Sequence, residues 1–429
     1  MPPAPRVRLA TGTIPGVIAG VVTWWALATS HWSWWGIATM TQTSPEETSF
    51  GDLKSVLATS LCIQQGGDYT GCDPYGRPFA PYVLPPARVL ALAGLDLEDA
   101  WWVGIGLAVL YVAVVLCLGF LVSGLWRAGL PGLIGAQVLL GVTAVTAPAM
   151  LMIERGQVEV ITLALTVGAL TLLASAARGP RLVGAVAGVA AVASKYLAIG
   201  LFSPFLRRGR PHWPAIIGLA GSVLFLFASW SDLQQAVDTS RAQDPATSQS
   251  QFGAMALLGT LLSDEPITGI PSPGVVDQWP AIRLASIAMV LLATVIAVTL
   301  VRPAAWATLD TMPVAYALFV GSTGVLALPY LLGSSHDYRQ VFLLPALVGA
   351  LAWLAGSRGR DAVVPVILVV VIPVSMVTGA SMILTPSDAL GLKEFIWPKG
   401  ALVLGDLALL FTLAVGAGVW VRGWMGRHE

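Results

Sequence analysis

Apolar runs of about 20 residues recur along the whole chain, and each is long enough to cross the hydrocarbon core of a bilayer. Charged residues make up 11% of the 429 residues, where soluble domains contain roughly 25%. A segment surrounded by lipid must satisfy its backbone polar groups internally, as a helix does. The sequence therefore predicts an all-α polytopic membrane protein, with residues 1–429 forming a single transmembrane domain.

Ten spans are expected from these runs. They cover residues 14–31, 101–125, 132–152, 158–177, 212–230, 282–301, 312–332, 340–356, 363–384 and 400–421. Arg6 and Arg8 precede the first run as they would in a secretory signal, but we expect that run to be retained, because further spans follow it. The formal net charge is zero, so the composition indicates no nucleic-acid partner.

The apolar stretch 182–206 has basic residues at both ends, so a single crossing would place one of two basic clusters outside the cell. The clusters are Arg178 and Arg181 before the stretch, and Arg207, Arg208 and Arg210 after it. A re-entrant helical hairpin that turns near Lys195 keeps both clusters on one side. Irregular backbone at membrane depth is tolerated where it lines a protein cavity, and we expect such a hairpin at 182–206.

Arginine-rich loops indicate the cytoplasmic side of a membrane protein. With the N-terminus inside and a hairpin at 182–206, every short loop assigned to the cytoplasm carries arginine, for example Arg127, Arg302 and Arg358. The C-terminus is then cytoplasmic as well. The loops 32–100 and 231–281 are expected to be exported.

Asp52 opens an amphipathic segment of the first exported loop. Apolar residues follow at helical spacing from Leu53 to Leu61, and Ser49 or Gly51 is positioned to cap the helix. We expect this helix, and a second short helix later in the same loop, to lie at the membrane interface. Asp52 is then either a reactive carboxylate at the mouth of the membrane domain or an acid that complements the helix dipole.

The cysteines differ in their surroundings. Cys62 and Cys72 both lie in the exported loop, where disulfides are permitted, and we expect them to be bonded to each other. Two cysteines with distant histidines do not form a recognisable zinc site, so no metal ligands are assigned. Cys117 lies in the middle of a span and is expected to be a small buried hydrophobe.

Polar residues at membrane depth are candidate functional groups. Glu159 lies one turn inside the exported end of a span, shortly after Gln157, and should face a polar cavity rather than lipid. Lys195 lies at the apex of the expected hairpin, far from either basic cluster, and requires an anion. That anion is either an acid such as Glu159 or the phosphate of a ligand.

Two further groups of residues are candidates for ligand contact. His336, Tyr338 and Arg339 open a later span on the exported face. Arginine suits bidentate contacts with phosphate, and histidine can form a hydrogen bond with phosphate or titrate. Alternatively, these side chains only reach from the end of the span to the membrane interface. In the first loop, Tyr69 and Tyr82 either stack against a sugar or pack the loop onto the membrane domain.

Several short motifs follow one another along the chain. They are Asp52-Leu53, Gly67-Asp68-Tyr69, Asp73-Pro74-Tyr75, Pro81-Tyr82-Val83-Leu84-Pro85-Pro86, Gly156-Gln157-Val158-Glu159, Ser194-Lys195-Tyr196-Leu197 and Asp337-Tyr338-Arg339. Their order and common sidedness resemble the glycosyltransferase-C superfamily, and within it glycosyltransferase family 87, the polyprenol-phosphate-mannose-dependent mannosyltransferases of actinobacteria. The chain departs from that pattern where Val83 and Leu84 interrupt a Tyr-Pro-Pro step, and it lacks a proline after the lysine motif.

The resemblance implies a glycosyltransferase-C-like bundle in a bacterial plasma membrane. Such a protein would move a sugar, mannose or another hexose or pentose, from a polyprenyl-phosphate donor to a lipid-linked or cell-envelope glycan at the extracytoplasmic face, with inversion. Asp52 would be the general base, no cofactor or metal is implied, and the partners are membrane lipids, donor and acceptor. The donor phosphate would be bound by Lys195, His336 and Arg339, and the sugar and acceptor pocket would be lined by Gln157, Glu159, Tyr69, Tyr82 and Tyr338.

Two other functions share part of this pattern. A transporter or flippase of lipid-linked glycans would also have a re-entrant hairpin and a lysine at membrane depth, but Asp52 would be dispensable. A polysaccharide polymerase also uses exported basic residues.

Overall fold

The computed structural model describes residues 4–29, 50–66, 84–207, 210–231, 234, 251–252, 257–258, 279–332, 335–378 and 399–425. These residues are almost entirely helical, apart from two pairs of two-residue strands. Several of the helices are long and apolar enough to cross a membrane. The predicted all-α, multi-pass membrane architecture is therefore confirmed.

The elements follow in chain order. The helices of the first half are α1 (Pro5–Gly12), α2 (Ile14–Thr29), α3 (Gly51–Gln64), α4 (Leu84–Leu92), α5 (Ala100–Leu125), α6 (Leu130–Thr143), α7 (Ala147–Glu154), α8 (Glu159–Leu173), α9 (Arg178–Ser194) and α10 (Trp213–Ala228). Those of the second half are α11 (Trp279–Leu300), α12 (Pro303–Asp310), α13 (Pro313–Leu332), α14 (Leu343–Gly356), α15 (Val363–Thr378) and α16 (Lys399–Met425).

Shorter elements connect these helices. Single 3₁₀ helices cover Leu97–Asp99, Tyr196–Phe205, Asp337–Phe342 and Gly359–Ala362. The strands β1 (Leu206–Arg207) and β2 (Arg210–Pro211) pair antiparallel, and so do β3 (Gln251–Phe252) and β4 (Ser335–His336). In the second pair Gln251 lies opposite His336. A segment of the loop 231–281 therefore contacts the turn that leads to Arg339.

Within the described ranges, six runs of helix have the length and composition of a membrane span. They are Pro5–Thr29, Leu97–Leu125, Pro313–Leu331, Arg339–Gly356, Gly359–Val377 and Val403–Met425. Two bent pairs raise the number to eight if each pair forms one span. These are Leu130–Thr143 with Ala147–Glu154, bent by 47°, and Ile287–Thr299 with Pro303–Asp310, bent by 92°.

Two of the ten predicted spans, 158–177 and 212–230, correspond to shorter helices. The helix α8 has 15 residues and α10 has 16. At 1.5 Å per residue they extend about 22–24 Å, which is less than the roughly 30 Å of a hydrocarbon core. The helix α8 is short because it begins only after Gly156, whose φ of 62° interrupts the chain between α7 and α8. A total of ten spans stays a prediction.

The helices α13 and α14 lie at the centre of the bundle. In the span that contains α14, 78% of the residues are buried, against 33% in the span that contains α15. Trp353 is fully buried; its indole N–H donates to the Ala305 carbonyl at 2.8 Å, and its ring packs edge-on against Phe319. Gly349 allows α14 to approach the backbone of α13. The peripheral helices present apolar side chains outward, as lipid-facing helices do.

The chain reverses direction at Lys195. The helix α9 ends at Ser194, Lys195 is extended, and the 3₁₀ helix 196–205 runs back along α9. Gly188, seven residues before Lys195, lies against the ring of Phe202, seven residues after it, so closely that a Cβ at Gly188 would be 2.6 Å from that ring. This is the shape that the predicted hairpin at 182–206 requires.

The two ends of this reversal also lie together. The charge of Arg181 acts on His212, which also contacts the backbone of Leu173. Arg181, near the start of α9, is therefore a neighbour of His212, which directly precedes α10. It stays a prediction that the start of α9 and the start of α10 lie at the same face of a membrane.

Cys117 corrects one expectation from the sequence. The sequence predicts a buried residue, whereas Cys117 is exposed on the surface of α5 and is a free thiol. The helix α5 is apolar on every side, so position within a span does not distinguish its lipid-facing side from its packed side. A small hydrophobe suits either environment.

The hairpin predicts that residues 179 and 212 lie on the same face of the membrane. Gly179→Cys and His212→Cys, each in a Cys117→Ala background, should react with a membrane-impermeant maleimide in inverted vesicles but not in right-side-out vesicles. Gly179 is exposed and has open space around its Cα, so that substitution perturbs little. Glu98→Cys, at an exposed position of the predicted exported side, is the control and should react in the opposite orientation. Reaction of 179 and 212 from opposite faces contradicts the hairpin.

Candidate functional site

The N-terminus of α3 is attached to the turn between α7 and α8. The N–H of Phe50 donates to the Glu154 carbonyl at 2.6 Å, and the N–H groups of Asp52 and Leu53 both donate to the Arg155 carbonyl at 3.2 Å. The first N–H groups of a helix have no partner within the helix itself. The backbone of the turn supplies those partners, and it thereby fixes the position of Asp52.

This attachment corrects the predicted cap. The capping residue of α3 is Phe50, and its side chain makes no capping hydrogen bond. Gly51 is the first residue of the helix, and Ser49 lies outside the described residues. The sequence showed the start of the helix to within one residue but not the partner, because the carbonyls that cap it come from a segment 100 residues further along the chain.

Two residues with left-handed backbone make this close contact. Phe50 has a φ of 63°, a conformation that is unfavourable for a large side chain, and its buried ring packs against Gly104 and lies 5.7 Å from Trp101. Gly156 has a φ of 62°, and a Cβ there would lie 2.7 Å from the Cβ of Leu53. The turn therefore needs glycine at 156, and packing of the Phe50 ring offsets the strain at 50.

The predicted apolar face of α3 is confirmed. Leu53, Val56 and Leu57 are all buried, and together they seat the helix on the bundle. At the other end of α3, the Ser60 hydroxyl donates to the Leu95 carbonyl at 2.7 Å. The helix is thus attached at both ends, and Asp52 lies at the end that faces the turn.

The carboxylate of Asp52 has two described partners, both from the turn. Its Oδ1 lies 3.5 Å from a terminal guanidinium nitrogen of Arg155, and its Oδ2 accepts a hydrogen bond from the side-chain amide of Gln157. Arg155 also lies 3.3 Å from the carboxylate of Glu154. The Asp52 side chain is 33% exposed, whereas that of Glu154 is 4% exposed. Of these two acids, only Asp52 can be reached by a ligand.

A second cluster lies one helical turn further along. The Oε1 of Glu159 is 2.7 Å from Nζ of Lys195 and 3.7 Å from Nε of Arg339. The Glu159 side chain is 0% exposed, so charge pairing offsets its desolvation. Among the described residues, two cations share this one carboxylate. Of the two predicted sources of an anion for Lys195, the acid Glu159 is in direct contact with it.

The position of Lys195 follows from the packing of α8 against α9. The two helices are antiparallel, and the hydroxyls of Thr162 and Ser194 lie 2.9 Å apart where the C-terminus of α9 passes the N-terminus of α8. Lys195 directly follows and leaves the helix with φ −156° and ψ 109°. The end of the helix therefore directs the ammonium group toward Glu159.

A small cavity opens beside the second cluster. Its empty space is about 260 Å³, including the part open to solvent. Polar groups line one side, namely Glu159, Thr162, Lys195 and Arg339, and apolar residues of α13 line the other, among them Pro329. Glu159 thus borders a cavity inside the bundle rather than lipid, and a polar character of this cavity stays a prediction.

The two clusters interact electrostatically. The charge of Asp52 acts on Lys195 and also on Glu154. Gln157 and Glu159 belong to the same short segment, so the turn carries contacts to both clusters. The structure thus brings together five of the predicted site residues: Asp52, Gln157, Glu159, Lys195 and Arg339.

The other predicted site residues are not located by their side chains. Tyr69, Tyr82 and Cys72 lie outside the described residues, and for His336 and Tyr338 only the backbone is described. Cys62 is disulfide-bonded, as expected, while its predicted partner Cys72 falls in the undescribed part. Among the described residues, no group of three His, Cys, Asp or Glu side chains is arranged to hold a metal ion.

Sequence reasoning missed the role of Arg155 as the partner of Asp52. The charged pair Glu154-Arg155 between two apolar runs is a visible signal. That signal does not reveal which residue the guanidinium contacts, because Asp52 is about 100 residues away in the chain. Only the fold connects them.

No protein-family model, curated protein or solved structure matches this chain. The fold and the site define a multi-pass helical membrane protein with a charged cleft, built around the turn between α7 and α8.

Because Lys195 and Arg339 share the Glu159 carboxylate, substitutions in this cluster should destabilise the protein to different extents. Glu159→Gln leaves two buried cations facing each other and should lower the free energy of unfolding by about 3–5 kcal/mol. Lys195→Met should destabilise less, because Arg339 still lies near Glu159. Adding Lys195→Met to Glu159→Gln should recover part of the loss. Denaturant unfolding in detergent micelles measures these differences.

The ion pair of Arg302 and Asp361 provides the control. These side chains are 56% and 28% exposed, so Asp361→Asn should change stability by less than about 1 kcal/mol. Equal destabilisation by Glu159→Gln and Asp361→Asn would contradict the pairing described here.

Proposed function

We propose that this protein is a membrane glycosyltransferase. It moves a sugar, mannose or another hexose or pentose, from a polyprenyl-phosphate donor to a lipid-linked or cell-envelope glycan acceptor at the extracytoplasmic face of a bacterial plasma membrane. The observation that carries the proposal is the difference in exposure among three neighbouring carboxylates. Glu154 and Glu159 are buried beside cations, whereas the Asp52 side chain is one-third exposed and is held at the mouth of the bundle.

Asp52 acts as the general base in this proposal. It accepts the proton of the acceptor hydroxyl while the hydroxyl oxygen attacks the anomeric carbon of the donor. The bond between that carbon and the phosphate oxygen breaks, and polyprenyl phosphate leaves with the bonding electrons. Attack opposite the leaving group inverts the anomeric configuration.

The second cluster provides the opposite charge. Lys195 and Arg339 place two cations beside a single described carboxylate. Cations fixed in advance at the place where negative charge grows lower the barrier to its formation. In the proposal they bind the departing phosphate together with His336. Gln157 and Glu159, with Tyr69, Tyr82 and Tyr338, form the sugar and acceptor pocket.

The proposal predicts that transfer depends on the Asp52 carboxylate. In proteoliposomes supplied with a polyprenyl-phosphate sugar and cell-envelope glycolipids, Asp52→Asn should lower transfer by about 10²–10⁴-fold, because the amide cannot accept the proton. Mass spectrometry of the glycolipid products measures the effect. Glu98→Gln makes the same chemical change at an exposed position outside the site, and it should leave the rate unchanged.

Transfer that survives Asp52→Asn at the wild-type rate rules out the assignment of the base. Wild-type protein that transfers no sugar from any polyprenyl-phosphate donor rules out the function itself.

One observation favours a second candidate, a transporter of lipid-linked glycans. The buried ion pair of Lys195 and Glu159 lies where α9 gives way to a 3₁₀ helix, and interrupted helices bearing charges are typical of transporter binding sites. The same vesicles distinguish the two functions. Movement of the sugar-lipid between leaflets without transfer, insensitive to Asp52→Asn, indicates the transporter.

A further inference from the structure

The guanidinium of Arg155 lies between two carboxylates, and no role follows for it from the proposed reaction. Its terminal nitrogen is 3.5 Å from Asp52, its Nε is 3.3 Å from Glu154, and its side chain is 16% exposed. Its backbone carbonyl already holds the N-terminus of α3. One residue therefore contacts both the helix that carries Asp52 and the carboxylate itself.

We propose that Arg155 is a positioning residue that holds the Asp52 carboxylate ionised and directed toward the acceptor hydroxyl. This inference rests on the proposed function, because it concerns the base of that reaction. A cation beside a carboxylate favours the charged form, and a base must be charged before it can accept a proton. A guanidinium also restrains the orientation of the carboxylate, because its donors are fixed in a plane.

The two contacts act on both oxygens of the carboxylate, and the Asp52 side chain stays 33% exposed. Arg155 approaches Oδ1 and Gln157 donates to Oδ2, so each oxygen has one of these two partners. Together the two contacts restrain the plane of the carboxylate.

Other charges around α3 act differently from Arg155. Glu154 on α7 opposes ionisation of Asp52, because it is a like charge, and Arg155 lies beside both. Lys195 also interacts with Asp52, but it is in direct contact with Glu159. Asp96 and Asp99 accept hydrogen bonds from the backbone of their own 3₁₀ helix. On α3 and on the described elements packed against it, the remaining charged residues are Lys54, Arg88 and Glu98.

Two substitutions separate the charge of Arg155 from its shape. Arg155→Gln removes the charge and keeps a hydrogen-bond donor, whereas Arg155→Lys keeps the charge and loses the planar group. Both retain the backbone carbonyl that caps α3. Arg127→Gln makes the same chemical change at an exposed position outside the site and is the control.

The test is the pH dependence of kcat/KM for sugar transfer by full-length protein in proteoliposomes. The acid limb of this profile reports the ionisation of the free enzyme's base. In Arg155→Gln we expect the acid limb to move by roughly one unit toward higher pH, because loss of the cation makes the carboxylate easier to protonate. In Arg155→Lys the limb should stay within about 0.3 unit of wild type, because the charge is kept. Arg127→Gln should match wild type throughout.

The outcomes distinguish the inference from the function on which it rests. Rates that fall in both Arg155 variants while the acid limb stays in place would mean that Arg155 only supports the fold, and would overturn the inference with the function intact. An equal shift in both variants overturns the role of charge. Absence of transfer by the wild type, or transfer indifferent to Asp52→Asn, overturns the inference together with the proposed function or its base.

Discussion

The candidate site depends on three backbone hydrogen bonds between the start of α3 and the turn between α7 and α8. An acid in the first turn of a helix commonly serves the helix itself, by accepting from its free N–H groups or by complementing its dipole. Here the carbonyls of Glu154 and Arg155 already satisfy three of those groups. The carboxylate of Asp52 is therefore available to contact Arg155 and Gln157, and the alternative reading of Asp52 as a dipole partner describes only part of its environment.

Charge pairing in an apolar bundle explains the second cluster. Removing a carboxylate and an ammonium from water is costly, and the cost is offset only when they lie in close contact. The antiparallel packing of α8 and α9 brings Glu159 and Lys195 to 2.7 Å, and the turn after β4 adds Arg339. The third charge places two cations beside this one described carboxylate.

The sequence predicted those features that depend on residues close together in the chain. The apolar runs showed the helical membrane architecture, and the spacing from Leu53 to Leu61 showed the buried face of α3. The flanking arginines indicated a reversal at Lys195, and the chain does reverse there. For Lys195 the sequence left an acid and a ligand phosphate open. The contact between Lys195 and Glu159 depends on which helices are neighbours, which the sequence does not show.

What the sequence did not predict depends on contacts between distant segments. The cap of α3 and the partner of Asp52 both come from residues about 100 positions away. Cys117 is exposed because of the way α5 is rotated about its own axis in the bundle. The sequence of a helix that is apolar on every side does not indicate this rotation. The shortness of α8 follows from a glycine turn that hydropathy does not register.

The three carboxylates of the site differ in burial, and this difference separates their chemistry. Glu159 lies against two cations without exposure, so protonating it would remove the charge that both cations contact. Glu154 is nearly as buried and lies behind Arg155. Asp52 combines exposure with a cation on one oxygen and an amide on the other, so it can meet a ligand with a restrained orientation. In the proposed glycosyl transfer this carboxylate is the base, whereas the proposed transporter would carry an intact sugar-lipid and would require no base.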